Sequence, residues 1–204
     1  MRDVGWLLKA ITAGVVSFAA TNIDDIFVLA LFFGRLGRGV KVRHVVAGQY
    51  LGFSALVAIS LVGYFARLIV PHEWIGLLGL LPIAIGVRHF LGRDKWEDEK
   101  QEAGRAAGGV FSVAAVTFAN GGDNIGIYTP LFAASDLASL LVMLAVFFVM
   151  LAVWCAAGFV IGSHRAVKRA LERYGHLIVP FVLIGLGIYI IVESGTLKLL
   201  RLIK

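Results

Sequence analysis

Apolar stretches long enough to cross a membrane recur along this chain of 204 residues. A membrane-spanning helix needs about 20 predominantly apolar residues. We read six such stretches, with bounds fixed to within a few residues: about 10–33, 45–66, 73–91, 109–133, 137–162 and 177–195. The composition agrees, because 59% of the residues are hydrophobic and only 16% are charged, unlike a typical soluble domain. The sequence therefore predicts an all-α polytopic membrane protein.

The lysine and arginine residues are divided unevenly between the two sides of these stretches. Thirteen of the 19 fall in the connections after the first, third and fifth stretches, and the other six fall on the opposite side. Cytoplasmic loops of membrane proteins carry such an excess of positive charge. We therefore expect the three basic connections to be cytoplasmic and both termini to lie outside. The net charge of +6 is then a topology signal, and no nucleic-acid partner is expected.

Two of the apolar stretches carry the same polar pattern, Asn-x-x-Asp, near their centres. The motifs are Asn22-Ile23-Asp24-Asp25 and Asn120-Gly121-Gly122-Asp123-Asn124. An aspartate at the centre of a membrane helix costs about 2.5–3.5 kcal/mol on insertion scales, so it is retained mainly where it has a function. No lysine or arginine lies inside either motif-bearing stretch to neutralise these acids, and Arg88 lies only at the end of the third stretch. We therefore expect the positive charge to come from a proton or a metal ion.

The motifs also divide the chain into two related halves. A shift of 98 residues places Asn22 on Asn120 and Asp25 on Asp123. A polar segment, 92–108, separates residues 1–91 from residues 109–204 and is predicted to be a cytoplasmic linker. Because each half has three spans, equivalent spans cross the membrane in opposite directions. The sequence thus predicts six transmembrane helices as two inverted three-helix repeats, a plan common in transporters whose substrate site lies near the midplane.

Helical spacing groups the polar side chains of each motif. Residues three or four positions apart share a helix face, so Asn22 lies over Asp25, and Asn120 lies over Asp123. Gly121 and the glycine after it weaken the second helix, which predicts a kink or an unwound turn with exposed carbonyl groups. The predicted ligands of a divalent cation are Asn22, Asp24, Asp25, Asn120, Asp123 and Asn124, supported by Thr21, Gln49, Thr117, Gly121 and Gly122.

Oxygen ligands of these kinds suit hard or borderline divalent cations. Cys155 is the one cysteine, and we read it as a small buried apolar residue. Burial disfavours a charged carboxylate and a bound cation favours it, so an empty site would hold protons that an entering metal displaces. The residues therefore predict a divalent cation as substrate, proton exchange, no cofactor and no enzymatic activity. The other partners expected are membrane lipid and, as an open alternative, a second copy of the chain.

The chain resembles the bacterial cadmium-resistance transporter family, which belongs to the lysine-exporter superfamily of small inner-membrane exporters. The resemblance rests on 21–25, on Gly48-Gln49-Tyr50-Leu51-Gly52 and on 119–126 followed by Pro130-Leu131-Phe132. It implies export of Cd²⁺, or of a related ion such as Zn²⁺, across the bacterial inner membrane, with the motif residues forming the site. Two alternatives stay open: export of an organic cation or basic amino acid, and a non-transporting membrane scaffold with the acids as helix contacts.

Overall fold

All regular secondary structure in the described part of the chain is helical. The structure is a computed structural model, and it describes residues 4–23, 25–36, 40–69, 72–90, 109–163, 180–194 and 196. One 3₁₀ turn covers Gly76–Gly79. The helices are α1 Val4–Asn22, α2 Asp25–Phe33, α3 Val42–Ala66, α4 His72–Ile75, α5 Leu80–Phe90, α6 Val110–Asn120, α7 Gly122–Ala133, α8 Leu137–Ser163 and α9 Pro180–Glu193.

Three of these helices, α1, α3 and α8, are long and apolar enough to cross a membrane by themselves. The other predicted spans correspond to shorter apolar helices. The third is built from α4, the 3₁₀ turn and α5, and the sixth is α9. The all-α class and the membrane character are therefore confirmed for the described residues, while the six-span inverted repeat stays a prediction. The predicted linker 92–108 lies outside these residues.

Both motif-bearing stretches are interrupted where the polar residues lie. The predicted span 109–133 forms α6 and α7, which are separated at Gly121, whose φ of −80° and ψ of 22° depart from helical geometry. This break confirms the predicted kink. The predicted span 10–33 is likewise divided into α1 and α2, although that stretch has no glycine or proline at the division.

The two halves pack reciprocally. Helix α3 of the first half lies mainly against α6 and α7 of the second, while α8 of the second half lies mainly against α1 and α2 of the first. Glycines permit the close approach of α3: a Cβ atom on Gly52 would lie 2.6 Å from the Ala114 carbonyl oxygen and 2.8 Å from Cβ of Thr117. Small residues at such contacts are typical of membrane helix packing. The motif of each half is therefore buried by a helix of the other half.

Candidate functional site

The first motif is held in place where α1 ends. The Asn22 amide nitrogen donates to the Phe18 carbonyl oxygen at 2.8 Å and to Thr21 Oγ1 at 2.8 Å. In a continuous helix, the Asn22 carbonyl would accept the backbone amide four residues later. Here the Trp154 indole nitrogen on α8 donates to that carbonyl oxygen at 2.6 Å. A side chain from the other half therefore satisfies the carbonyl group at the end of α1.

Tyr128 on α7 links the second half to Thr21 and Asn22. Its hydroxyl lies 2.7 Å from Thr21 Oγ1 and accepts a hydrogen bond from the Asn22 amide nitrogen at 2.8 Å. Thr21 Oγ1 also lies 3.0 Å from the carbonyl oxygen of Ser17, its acceptor one turn earlier. Because threonine has a single hydroxyl proton, donation to Ser17 leaves the Tyr128 hydroxyl as the donor to Thr21. The three side chains thus form one directed network.

The two motifs meet at their asparagines. The Asn124 amide nitrogen donates to Asn22 Oδ1 at 3.2 Å, and both side chains are buried. The two N–H groups of the Asn22 side chain are shared among three acceptors, Phe18, Thr21 and Tyr128, so its oxygen is directed towards the second motif. This contact joins residues that the sequence separates by 102 positions. It shows that the two motifs converge, as the repeat argument predicts.

Asp25 belongs to a second buried chain of hydrogen bonds. Gln49 on α3 donates from Nε2 to Asp25 Oδ2 at 3.1 Å, and Gln49 Oε1 accepts from Thr117 Oγ1 on α6 at 2.6 Å. All three side chains are buried. Gln49 and Thr117, both expected as supporting residues, therefore lie beside Asp25 and connect it to the second half.

The two motif acids that the structure describes, Asp25 and Asp123, occupy equivalent places in the fold. Asp25 is the first residue of α2, and Asp123 is the second residue of α7, so each lies in the first turn after a helix break. The partial positive charge of a helix N-terminus stabilises a carboxylate by about 0.3–2 kcal/mol, less than the cost of placing it at the membrane centre. Asp25 accepts from Gln49 Nε2 at 3.1 Å, and Asp123 Oδ1 accepts from the backbone amide of Asn124 at 3.2 Å. Both carboxylates therefore border the hydrogen-bonded motif residues.

The remaining predicted site residues are Asn120, Gly121, Gly122 and Asp24. Asn120 ends α6, and its amide nitrogen is buried without a hydrogen-bond partner in the described part of the chain. Gly121 forms the break and Gly122 begins α7. Asp24 lies outside the described residues. Within those residues, no group of three or more His, Cys, Asp or Glu side chains is placed to hold a metal ion. The ligand roles stay predictions.

Tyr128 and Trp154 were not among the predicted site residues. Aromatic residues in an apolar helix usually pack, and both do, because Tyr128 lies 4.5 Å from Phe147 and Trp154 lies 5.3 Å from Phe18 between ring centroids. One signal for Tyr128 was available in the sequence: it follows Asn124 by four residues and therefore shares its helix face. No comparable signal marked Trp154.

Comparison with known proteins bears on the whole chain. No curated protein and no solved structure gives a match. The family described as "cadmium resistance transporter" matches residues 18–203, a range that includes both motifs, Gln49, Tyr128 and Trp154. The chain therefore belongs to the cadmium resistance transporter family.

Proposed function

We propose that this protein is a secondary transporter that exports a divalent cation, with Cd²⁺ as the first candidate, in exchange for protons. The observation that carries the proposal is the buried contact between Asn22 and Asn124. It brings together the two Asn-x-x-Asp motifs, one from each half, next to two helix breaks. Sites of this kind, at the interface of two repeats and beside discontinuous helices, are typical of secondary transporters.

The groups around this contact suit a cation. Asp25 and Asp123 supply negative charge, and the amide and hydroxyl groups of Asn22, Asn124 and Thr21 supply neutral oxygens, which are ligands for hard or borderline cations. Of these five side chains, Asn22, Asn124 and Thr21 would provide neutral oxygens. Weak coordination of this type favours rapid release, which a transporter requires.

Asn120 adds a further candidate ligand. Its buried amide nitrogen has no hydrogen-bond partner among the described residues. Rotating the amide by 180° exchanges its nitrogen and oxygen, an assignment that coordinates alone do not fix. The oxygen would then occupy the unpartnered position. We propose that Asn120 Oδ1 takes this orientation when a cation is bound.

Proton exchange follows from the burial of the two acids. A buried carboxylate without a cation favours its protonated form, and a bound cation favours its charged form. Cation entry would therefore release protons, and proton entry from the other face would release the cation. The reciprocal packing of the halves supports a motion in which both motifs change exposure together, consistent with two inverted repeats. With the termini outside, as the loop charges predict, export runs towards the face at which α1 begins.

The test compares acid-to-amide substitutions inside and outside the motifs. Cd²⁺, Zn²⁺ and Mn²⁺ uptake is measured in inside-out membrane vesicles with Asp25→Asn, Asp123→Asn or Asp98→Asn at matched protein levels. Asp98 lies in the polar segment between the halves, so its variant controls for the chemical change. We expect both motif variants to lose cadmium uptake and Asp98→Asn to retain it. Equal uptake by all three variants would remove the metal site from the motifs.

The same vesicles test the coupling. A protonophore abolishes the proton gradient without changing the protein. We expect cadmium uptake by the unaltered protein to fall when the gradient is abolished. A rate that is indifferent to the gradient would exclude proton exchange, even if the motif variants are inactive. If none of the three metals is transported, basic amino acids and organic cations are the next substrates to measure.

A further inference from the structure

A cavity of about 650 Å³ lies at one end of the helix bundle. It is bordered by the start of α1, the end of α3, the turn between α7 and α8, and the end of α9. These are the ends that the loop charges predict to lie outside. The lining includes the charged residues Lys9, Arg67, Asp136 and Glu193, and the apolar Leu131 and Met143. We call this cavity the vestibule.

The vestibule has the character of a water-filled space. The Arg67 side chain lies over the Tyr64 ring, 5.5 Å from its centroid. Charged side chains are costly to remove from water, so the four that line the cavity favour a hydrated interior. The two acids and two bases of the lining balance in charge. A lining without net charge suits the passage of hydrated ions better than the binding of a second cation.

An aromatic layer lies between the vestibule and the polar motif residues. It consists of Phe18 on α1, Phe53 on α3, Tyr128 on α7 and Phe147 on α8, all fully buried. Neighbouring ring centroids are 4.5 Å apart for Tyr128 and Phe147 and 5.4 Å apart for Phe18 and Phe53. Four helices from both halves thus each contribute one ring. Their packing leaves no space for a hydrated ion.

The order of residues along α7 and α8 places the aromatic layer between the vestibule and the first motif. Tyr128 is one turn from Leu131 of the vestibule on α7, and Phe147 is one turn from Met143 on α8. On the other side of the layer, the Tyr128 hydroxyl contacts Thr21 and Asn22. Tyr128 therefore spans the layer, with its ring in the aromatic contacts and its hydroxyl on the motif.

We propose that the vestibule is the aqueous route between the motif and one membrane face, and that the aromatic layer is its closed gate. Opening requires Tyr128 and Phe147 to separate, and this would also disturb the Tyr128 hydrogen bonds to the first motif. Gate opening is thereby tied to the arrangement of the site. This inference rests on the proposed function for the identity of the ion that passes, but not for the existence of the gate.

The test measures the accessibility of single cysteines to a small, positively charged methanethiosulfonate reagent added to intact cells. In a Cys155→Ser background, Ser139→Cys reports on the vestibule and Thr21→Cys on the motif side. Minor states of two-state proteins are populated at about 0.1–10%, so we expect Thr21→Cys to react at least about tenfold more slowly. Adding Phe147→Ala should raise the reaction rate of Thr21→Cys towards that of Ser139→Cys. Adding Phe159→Ala, on the exposed side of the same helix, should leave the reaction rate of Thr21→Cys unchanged.

Each outcome bears on the proposal. An unreactive Ser139→Cys would show that the vestibule is not aqueous, and an equally reactive Thr21→Cys would show that no gate separates the two positions. Either result overturns the inference, as does a Phe147→Ala variant that leaves Thr21→Cys shielded. Should Phe147→Ala fail to fold, Phe147→Leu provides a smaller opening with the same expected direction. Cysteine reactivity does not depend on transport, so loss of the metal site in the Asp25→Asn test would leave this result interpretable.

Discussion

Replacing Tyr128 by phenylalanine tests the contribution of its hydroxyl group separately from that of its ring. The change removes the contacts of 2.7 Å to Thr21 Oγ1 and 2.8 Å to the Asn22 amide nitrogen, and it keeps the ring packing with Phe147. A hydrogen bond contributes about 0.5–1.5 kcal/mol net to stability. Because two are removed, the free energy of unfolding should fall by about 1–3 kcal/mol. The protein should still fold, because the core volume is almost unchanged.

The larger consequence concerns cation binding. Without the Tyr128 hydroxyl group, the Asn22 side-chain amide loses one of the acceptors that direct its oxygen towards Asn124. The free protein can redistribute the amide between two orientations, whereas the bound cation needs the oxygen. If one hydrogen bond of about 1 kcal/mol is lost from this orientation, the KM for Cd²⁺ rises about fivefold. The maximal rate per transporter should change less.

Initial rates of cadmium uptake in inside-out vesicles give KM and maximal rate, and thermal unfolding in detergent gives stability. Tyr50→Phe is the matched control, because the Tyr50 hydroxyl donates to the Phe148 carbonyl oxygen at 3.1 Å and does not contact the motif. Both variants should be destabilised, but only Tyr128→Phe should show the raised KM. A KM equal to that of Tyr50→Phe would refute the positioning role of Tyr128.

Other substitutions test separate parts of the structure. Gln49→Leu and Thr117→Val should be non-additive in unfolding free energy by about 0.5–3 kcal/mol, and an additive pair in that double-mutant cycle would contradict the hydrogen-bonded chain to the second half. Gly52→Val should eliminate folded protein in size-exclusion chromatography because of the 2.6 Å approach to the α6 backbone, whereas Gly122→Ala, with no atom within 4 Å of the added group, should not. Cys155→Ser should retain cadmium transport, since the proposed ligands are oxygens; its loss would indicate a thiolate ligand.

The convergence of the two motifs could be predicted because it follows from repetition and helical spacing. The repeat equates Asn22 with Asn120, and the structure instead joins Asn22 to Asn124, one helical turn further on. Equivalence between halves predicts that the motifs face each other, but not which pair of side chains touches. That choice depends on the relative height and rotation of α1 and α7, which are set by packing throughout the bundle.

The break before Asp25 shows a second limit. At Gly121 the weakness is local and visible in the sequence, and the helix ends there as predicted. The division after Asn22 depends instead on a donor from elsewhere, the Trp154 indole, 132 positions away. The same holds for the hydrogen bonds that Tyr128 makes across the bundle. Interactions between distant segments of this kind have no signature in the local sequence.

The reciprocal packing of the halves has a consequence for biosynthesis. Helix α3 enters the membrane with a face of glycines whose partners, α6 and α7, are not yet made. Helices α1 and α2 likewise cannot complete their packing until α8 has been synthesised. The first half therefore cannot complete its packing while it is being inserted, and the assembled bundle forms only after most of the chain has left the ribosome. If the polypeptide were cut between residues 91 and 109, the two fragments would have to be made together, because each would provide the surface on which the other folds.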